Sequence, residues 1–325
     1  QREIVGSSKA MLDVHQQIAL AAPSNATVLI RGESGVGKEL VARAIHFSSA
    51  RRKGPFVCIN CAALTETLLE SELFGHEKGA FTGATDRKLG KFEAADNGTL
   101  VLDEIGEMSQ SIQAKFLRVL EGHPFERVGG SKQVRTDVRV IAATNRDLEA
   151  AVKEGIFRKD LFFRLNVVRI DVPPLRRRPE DIPELCTYFL QAFNETTGRR
   201  LTGFHPDAVL MLSRYRWPGN IRELENVLTR ALILCPEDTI EPAYLHLADS
   251  PFPSVDEAEA EPPPRHYHES MDAYSRKVIE GALRRNGWNQ TRASEELGLQ
   301  RTYLTKLLRQ KDISGRPPHE SSSET

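Results

Sequence analysis

The sequence predicts an open, doubly wound α/β domain, because three observations agree. Five short β-rich apolar runs alternate with helical patterns, which is typical of strands buried on both faces of a parallel sheet. A glycine-rich loop follows the first run and opens a helix, and the third run ends in two carboxylates. Parallel strands bring such groups to one edge of the sheet. The predicted strands are Thr27–Ile30, Phe56–Asn60, Thr99–Asp103, Val138–Ala143 and Val167–Val172.

Helical patterns separate these strands and cover the predicted sheet. Two prolines, Pro173-Pro174, stop the last strand, so we expect the α/β part to occupy residues 1–174. The helices predicted between the strands are Lys38–Phe47, Leu64–Leu73 and Ser109–Glu121.

A helical subdomain is predicted for residues 175–248. Within it, Asp207–Tyr215 and Ile221–Leu234 have the apolar spacing of amphipathic helices. Asn220 precedes the second of these patterns, and its short polar side chain is suited to an N-cap. We expect Asn220 to begin that helix.

The last part of the chain divides by composition. Residues 249–269 are predicted to be a linker, since residues 249–264 contain 5 prolines and 5 acidic residues. Residues 270–316 are predicted to form a small all-α domain, and the polar residues 317–325 a disordered end. The helices predicted in the small domain are Met271–Arg285, Gln290–Leu297 and Arg301–Gln310.

Composition excludes two broad classes of protein. Of the 325 residues, 40% are hydrophobic and 27% charged, which excludes disorder of the whole chain. No run approaches the roughly 18 consecutive apolar residues of a membrane span, which excludes an integral membrane protein. The 4 cysteines are too few for a disulfide scaffold. Cys58 and Cys61 form a CxxC that could be a redox pair or half a zinc site, and we favour buried, reduced thiols in a cytoplasmic protein.

The formal net charge of −1 conceals segments of different charge. Residues 1–248 contain 33 basic and 32 acidic residues, whereas residues 249–264 contain 5 acidic and no basic residues. Residues 270–316 contain 10 basic and 5 acidic residues. Because DNA phosphates attract a basic surface, we expect contact with DNA to be confined to the last segment.

The glycine-rich loop has the pattern and the context of a phosphate-binding P-loop. Its glycines let backbone N–H groups converge on phosphate oxygens, and the helix that follows adds partial positive charge. Lys38 can reach the β- and γ-phosphates. The general motif continues with Ser or Thr, which holds Mg²⁺, but this chain has Glu39. The predicted nucleotide-binding residues here are Gly32, Glu33, Ser34, Gly35, Val36, Gly37, Lys38 and Glu39.

The two carboxylates that end the third strand complete a nucleotide site. Asp103 is suited to hold Mg²⁺, directly or through water. Glu104 is suited to polarise an attacking water. Strands often end in acidic residues, but the combination with the P-loop upstream predicts an NTPase with ATP and Mg²⁺ as its ligands.

Six motifs in fixed order carry a resemblance to one family: GESGVGKE (32–39), ELFGHEKGAFTGA (72–84), LDEIGEM (102–108), AATNRDL (142–148), FRKDLFFRLNV (157–167) and WPGNIRELEN (217–226). From Ile4 to about Leu247 the chain resembles the AAA+ domain of bacterial sigma-54-dependent transcriptional activators, also called bacterial enhancer-binding proteins. GAFTGA is the most specific motif, and Glu39 is the residue that this family usually has. The resemblance implies an AAA+ P-loop NTPase with a helical lid.

The resemblance also implies roles for residues around the nucleotide. Asn60 resembles the switch residue that holds Glu104 away from water, although the residues alone favour a strand-end cap. Asn145 resembles the sensor of the γ-phosphate. Arg222 resembles the second sensor, carried on the lid, and its alternative is a surface pair with Glu225.

Two arginines resemble residues that act between subunits. Arg158 and Arg164 resemble arginine fingers, which reach the ATP of a neighbouring subunit and stabilise charge in the transition state. The alternative for both is an ordinary surface ion pair. The family's arrangement implies a ring, expected to be a hexamer.

The GAFTGA segment, Gly79–Ala84, resembles the loop that contacts sigma-54. Its glycines permit a tight, mobile turn. Phe81 is either an exposed apolar side chain that needs a partner or a buried one, and the resemblance favours exposure. Residues from Phe125–Gly130 to Val138 resemble a second loop that supports the first. The expected sigma-54 contacts are Gly79, Ala80, Phe81, Thr82, Gly83 and Ala84.

The small C-terminal domain resembles the Fis-type helix-turn-helix domain. Fis-type domains dimerise, so a palindromic DNA site is expected. The alternative is a charged three-helix bundle in solvent. The candidate residues for the major groove or its phosphates are Arg301, Thr302, Tyr303, Thr305, Lys306 and Arg309.

These expectations combine into one function. The chain is expected to be an ATPase that binds upstream, enhancer-type DNA and drives the sigma-54 RNA polymerase holoenzyme from the closed to the open promoter complex. Two rivals remain at this stage. One is a generic AAA+ remodeller, which the GAFTGA motif disfavours, and the other is a DNA-binding module with a purely structural nucleotide site.

Overall fold

The computed structural model describes residues 3–236, 238–247 and 288–296, together with residues 283, 286 and 308. The chain divides into two compact units, Gln1–Phe252 and Pro253–Thr325. In the described residues, no helix is long and apolar enough to cross a membrane.

A five-stranded parallel sheet forms the centre of the first unit, with the strand order β2-β3-β6-β1-β7. An antiparallel pair, β4 and β5, and a parallel pair, β8 and β9, lie outside it. The strands are β1 (Val28–Arg31), β2 (Phe56–Asn60), β3 (Thr99–Asp103), β4 (Phe125–Glu126), β5 (Gln133–Val134), β6 (Arg139–Thr144), β7 (Val168–Asp171), β8 (Gly203–Phe204) and β9 (Thr239–Ile240).

The first seven helices pack on the two faces of this sheet, and the next three form the lid. Those of the α/β part are α1 (Lys9–Ala21), α2 (Lys38–Phe47), α3 (Glu66–Phe74), α4 (Lys91–Ala94), α5 (Gln110–Leu120), α6 (Leu148–Lys153) and α7 (Lys159–Leu165). Those of the lid are α8 (Ile182–Thr197), α9 (Pro206–Arg214) and α10 (Asn220–Leu234). Short 3₁₀ turns span Ile105–Glu107, Leu175–Arg177, Pro179–Asp181 and Pro242–Tyr244.

The central strands explain why continuous apolar runs predicted the sheet. In β3, Leu100 and Leu102 belong to the hydrophobic core on one face, and Val101 belongs to the core on the other. Both faces are therefore covered, as the doubly wound fold requires. The five predicted strands are confirmed, since each begins and ends within one residue of its predicted bounds.

The edge strand β2 corrects one expectation. Cys58 was expected to be buried, but its side chain is exposed, while Cys61 is buried. β2 has only one neighbour in the sheet, so fewer side chains cover it. The apolar run alone does not distinguish an edge strand from a central one.

The lid begins helix α10 differently from the prediction. Gly219 is the N-cap, and Asn220 is the first helical residue, with φ of 53°. Asn is among the residues that adopt this left-handed conformation most readily. The side chain of Asn220 is fully buried and bonds to groups elsewhere in the chain, so the predicted capping role is wrong.

Trp217 anchors the lid core, and its removal is expected to lower the free energy of unfolding by about 3–5 kcal/mol. Its side chain is fully buried, and the indole N–H donates to the carbonyl of Leu212 at 2.8 Å. Urea unfolding of Trp217→Ala, followed by circular dichroism, measures this loss. The control Leu210→Ala removes a half-exposed lid side chain and should cost less than about 1 kcal/mol. Equal midpoints for the two variants would contradict the assignment of Trp217.

In the second unit, the structure describes one helix, α11 (Gln290–Glu296). Asn289 caps it, because its side-chain oxygen accepts from the backbone N–H groups of Thr291 and Arg292. Leu283, Ala293 and Leu308 are buried. The predicted linker and C-terminal end lie outside the described residues, as do the DNA-contact candidates Arg301, Thr302, Tyr303, Thr305, Lys306 and Arg309.

Candidate functional site

The glycine-rich loop joins β1 to α2, and two of its glycines have a left-handed backbone. Gly35 and Gly37 have φ of 80° and 101°, and Gly37 is the N-cap of α2. A side chain at Gly35 would also lie 2.4 Å from the carbonyl oxygen of Gly219. Glycine is therefore required at this position by both conformation and space.

Lys38 is the first residue of α2 and is only 7% exposed. Its ammonium donates to the carbonyl oxygens of Gly32 at 3.0 Å and Glu33 at 3.3 Å. It also lies 3.5 Å from the carboxylate of Glu104. The lysine is thus held at the centre of the loop by oxygen acceptors.

The two carboxylates lie at the end of β3, beside this lysine. Glu104 has a left-handed backbone with φ of 52°, which costs about 1–3 kcal/mol for a residue other than glycine. Lys38 on one side and the backbone N–H of Asn145, at 3.2 Å, on the other hold its carboxylate. Asp103 accepts from the backbone N–H of Glu104 at 3.1 Å.

The electrostatics of Asp103 suit a bound cation. Burial, together with the neighbouring charge of Glu104, raises the pKa of Asp103 above its usual value. A cation at this position would relieve both effects. The described residues contain no group of three or more His, Cys, Asp or Glu side chains that could hold a metal ion.

A cleft of about 1070 Å³ lies over these groups. Apolar side chains, including Ile4, Leu40 and Ile221, form part of its wall. Its polar wall includes Ser34, Gly35, Gly37, Lys38, Glu39, Asp103, Glu104 and Arg222. Of the predicted P-loop residues, Gly32, Glu33 and Val36 are not part of this lining, and the carboxylate of Glu33 faces the lid. Glu39 forms an i,i+4 ion pair with Arg43 on the surface of α2.

The lid contributes one arginine to this site. The guanidinium of Arg222 donates to the hydroxyl of Ser34 at 3.2 Å, and its backbone N–H lies 3.3 Å from the carbonyl of Gly35. Arg222 therefore contacts the P-loop of its own chain. This places the predicted second sensor beside the phosphate-binding groups.

The other two polar candidates lie at the same edge of the sheet. Asn60 pairs with Asp103 across β2 and β3, but its side chain accepts from the backbone N–H of Ala62 at 2.9 Å. In this structure Asn60 is thus a strand-end cap, and Glu104 has other partners. Asn145, just after β6, is exposed at the carboxyl end of the strand.

The two finger candidates lie at the N-cap and in the last turn of helix α7, and both are exposed. Arg158 precedes α7 and forms an ion pair with Asp160 at 2.6 Å. Arg164 donates to the carbonyl of Leu120 at 3.0 Å and is exposed. Neither side chain lines the nucleotide cleft of its own chain.

The segment Gly79–Ala84 forms the tip of a loop between α3 and α4. Gly79 and Gly83 have positive φ, and both have open space where a side chain would begin. Thr82 is exposed, whereas Phe81 is half-buried, with its ring 5.1 Å from that of His76. Phe81 was expected to be exposed, and the structure corrects this in part, because His76 supplies a partner for its ring within the loop.

The base of this loop, residues 75–90, is narrow. His76 and Lys88 exchange two backbone hydrogen bonds of 3.0 Å. A side chain on Gly75 would lie 2.6 Å from the carbonyl oxygen of Lys88, and one on Gly90 would lie 2.5 Å from the nitrogen of Gly75. Two glycines thus allow the ends of the loop to touch.

A second contact supports the same loop from the β4–β5 hairpin. Arg127, only 5% exposed, forms ion pairs with Glu77 at 2.9 Å and with Glu93 at 2.5 Å. These hydrogen bonds raise the pKa of Arg127 above its usual value. Sequence reasoning expected a supporting loop here but missed this arginine, since a basic residue in a turn is ordinarily a solvated one.

Comparison with known proteins decides the family. Residues 4–171 match the family described as the sigma-54 interaction domain, residues 176–260 the AAA+ ATPase lid domain, and residues 271–310 the bacterial regulatory protein, Fis family. The chain belongs to the sigma-54-dependent transcriptional activators. The activator has an AAA+ ATPase domain with a helical lid, followed by a DNA-binding helix-turn-helix domain.

Named relatives and solved structures agree with this assignment. The activator is 51% identical to the transcriptional regulatory protein ZraR of Escherichia coli K12, covering 94% of this chain and 68% of that protein. It is 48% identical to the regulatory protein AtoC of the same strain, covering 95% and 68%. The crystal structure of NtrX from Brucella abortus in complex with ATP matches 96% of this chain and 69% of that chain, with 39% identity and a TM-score of 0.72.

Proposed function

We propose that the activator hydrolyses ATP to remodel the closed complex of the sigma-54 RNA polymerase holoenzyme into the open complex. One observation carries the proposal. The loop that bears GAFTGA lies in the connection between β2 and β3, the strands that end in Asn60 and in Asp103. A change at the nucleotide can therefore act on the loop through the end of β2 at Asn60, which lies beside Asp103 and from which the chain runs through α3 to the loop.

The residues of the cleft suit ATP hydrolysis. Lys38 and the N–H groups of the P-loop bind the phosphates, and Asp103, with those phosphates, would hold Mg²⁺. The metal, when bound, neutralises charge on the phosphate oxygens. Glu104 orients and polarises the attacking water. Asn145 and Arg222 report the state of the phosphates, and Asn60 exchanges its cap for Glu104 when that state changes.

The finger arginines support action in a ring. Arg158 and Arg164 are exposed and lie away from their own cleft, where the ATP site of a neighbouring subunit could approach them. Arginine fingers supplied in trans raise hydrolysis by about 10³–10⁵. We propose that the active form is a hexamer.

ATPase activity per subunit is accordingly expected to rise with protein concentration. Each active site would be incomplete until a neighbour contributes Arg158 and Arg164. The measurement is the rate of phosphate release per subunit over a dilution series, with light scattering on the same samples. Arg118→Ala, an exposed arginine on α5, is the matched control and should keep the wild-type concentration dependence. A constant specific activity from a monomer would contradict the ring.

The DNA-binding end completes the proposal. The basic residues 270–316 would dimerise and bind enhancer-type DNA upstream of the promoter, using some of Arg301, Thr302, Tyr303, Thr305, Lys306 and Arg309. The protein would act in the cytoplasm, where the polymerase is.

Transcription in vitro with purified sigma-54 polymerase, with and without ATP, tests the proposed function. Open-complex formation that requires both the activator and hydrolysable ATP is the expected result. ATP hydrolysis without open-complex formation would instead favour a generic AAA+ remodeller. Open complexes formed equally well without ATP would favour a DNA-binding module.

A further inference from the structure

The P-loop has a side chain that does not face the nucleotide cleft. Glu33 points toward the lid, where its carboxylate accepts from the guanidinium of Arg176 at 2.7 Å and 2.5 Å. This hydrogen bonding lowers the pKa of Glu33, so the pair is ionic at neutral pH. The two residues are 143 positions apart in the sequence.

Asn220 joins this pair to the backbone of the P-loop. Its amide nitrogen donates to the carboxylate of Glu33 at 3.2 Å and to the carbonyl of Ser34 at 3.1 Å. Its amide oxygen accepts from the backbone N–H of Leu175 at 2.8 Å. Since Asn220 is fully buried, its polar atoms find these partners within the protein rather than in water.

The start of α10 holds the next P-loop carbonyl as well. The backbone N–H groups of Ile221 and Arg222 lie 3.1 Å and 3.3 Å from the carbonyl oxygen of Gly35. The carbonyls of Ser34 and Gly35 are therefore both fixed by the lid. Both contacts come from one turn of one helix.

Fixing these carbonyls also fixes two N–H groups. A peptide unit is planar and trans, so its carbonyl and its N–H point in opposite directions. The carbonyl of Ser34 shares a peptide plane with the N–H of Gly35, and that of Gly35 with the N–H of Val36. The lid thereby sets the direction of the amides that a P-loop uses to bind phosphate.

We propose that Glu33, Arg176 and Asn220 form a lid clamp, a set of positioning residues that aims the P-loop amides at the phosphates of ATP. The proposal rests on the proposed ATP site and adds a role for residues outside the cleft. The clamp selects for phosphate and leaves recognition of the nucleoside unchanged. Its hydrogen bonds connect the lid to the P-loop in addition to the contact that the Arg222 side chain makes with Ser34.

The test compares the affinity of a non-hydrolysable ATP analogue with that of adenosine, using the full chain. Arg176→Gln removes the ion pair of the clamp at a half-exposed position, where a substitution is expected to leave the fold intact. We expect its Kd for the analogue to rise about tenfold, while the Kd for adenosine stays unchanged. Calorimetry measures the first ligand, and ligand-observed NMR measures the second. Arg177→Gln, one residue further on and also exposed, is the control and should leave both affinities unchanged.

Two further variants make the test specific. Glu33→Gln should weaken binding of the analogue to the same extent. The double variant, Glu33→Gln with Arg176→Gln, should lose little more affinity than either single variant, because both substitutions remove the same ion pair. Arg176→Lys should recover part of the affinity, since it keeps the charge but not the two-point contact. Unchanged affinity for the analogue would overturn the clamp, as would an equal loss for both ligands. If Arg176→Gln loses affinity for the analogue as expected, but the wild-type protein never forms open complexes, the clamp stands and only the proposed function is overturned.

Discussion

Glu104→Gln is expected to lower the turnover of ATP by about 10²–10⁴ while ATP binding is retained. The carboxylate is only 16% exposed and is held between Lys38 and the backbone of Asn145. An amide has the same shape but accepts a proton poorly, so it cannot polarise water to the same extent. Phosphate release under saturating ATP, together with calorimetric affinity for a non-hydrolysable analogue, separates the two effects.

Glu107→Gln is the matched control for this substitution. Glu107 follows on the same turn but pairs with Arg146 at 2.6 Å, away from the cleft. Its turnover should stay within about a factor of two of the wild type. Equal losses in the two variants would show that charge near β3, rather than the position of Glu104, determines the rate.

Thr82→Ala is expected to leave ATPase activity within about a factor of two and to lower open-complex formation at least about tenfold. Thr82 is exposed at the tip of the loop 75–90, far in the chain from the P-loop and between two glycines with open space around them. We therefore expect loss of its hydroxyl to remove the proposed contact with sigma-54 and to leave the fold intact. Phosphate release and permanganate footprinting of the promoter, in the same reaction, measure both activities.

Thr85→Ala is the control for the loop. Thr85 is also exposed, and its hydroxyl donates to Asp86 within the loop at 3.3 Å. It should retain both activities. Full open-complex formation by Thr82→Ala would remove this residue from the sigma-54 contact.

The sequence predicted the sheet and the centre of the site because local patterns determine them. The run Thr99–Asp103 is apolar on both faces and ends in acids, so both its bounds and its position beside the P-loop followed directly. The position of Lys38 at the start of α2 followed from the glycines that precede it. Such features depend on neighbours in the chain.

The sequence did not predict features that depend on distant contacts. Asn is a residue type that favours the N-cap position, but the side chain of Asn220 instead donates to Glu33, 187 residues away, and accepts from the backbone N–H of Leu175. Phe81 is half-buried because His76 is folded against it, and the motif alone contains no such information. Asn60 caps its own strand in this structure, whereas its resemblance to a switch residue concerns a change between states.

The narrow base of the loop 75–90 has a consequence for engineering and for divergence between relatives. Its ends touch through Gly75 and Gly90, as in a compact Ω-loop, so the distance between α3 and α4 does not depend on what the loop contains. Changes of length or chemistry beyond the contact between Glu77 and Arg127 are therefore expected to put little strain on the two helices. The proposed recognition tip is thus expected to vary in sequence more readily than the helices that carry it.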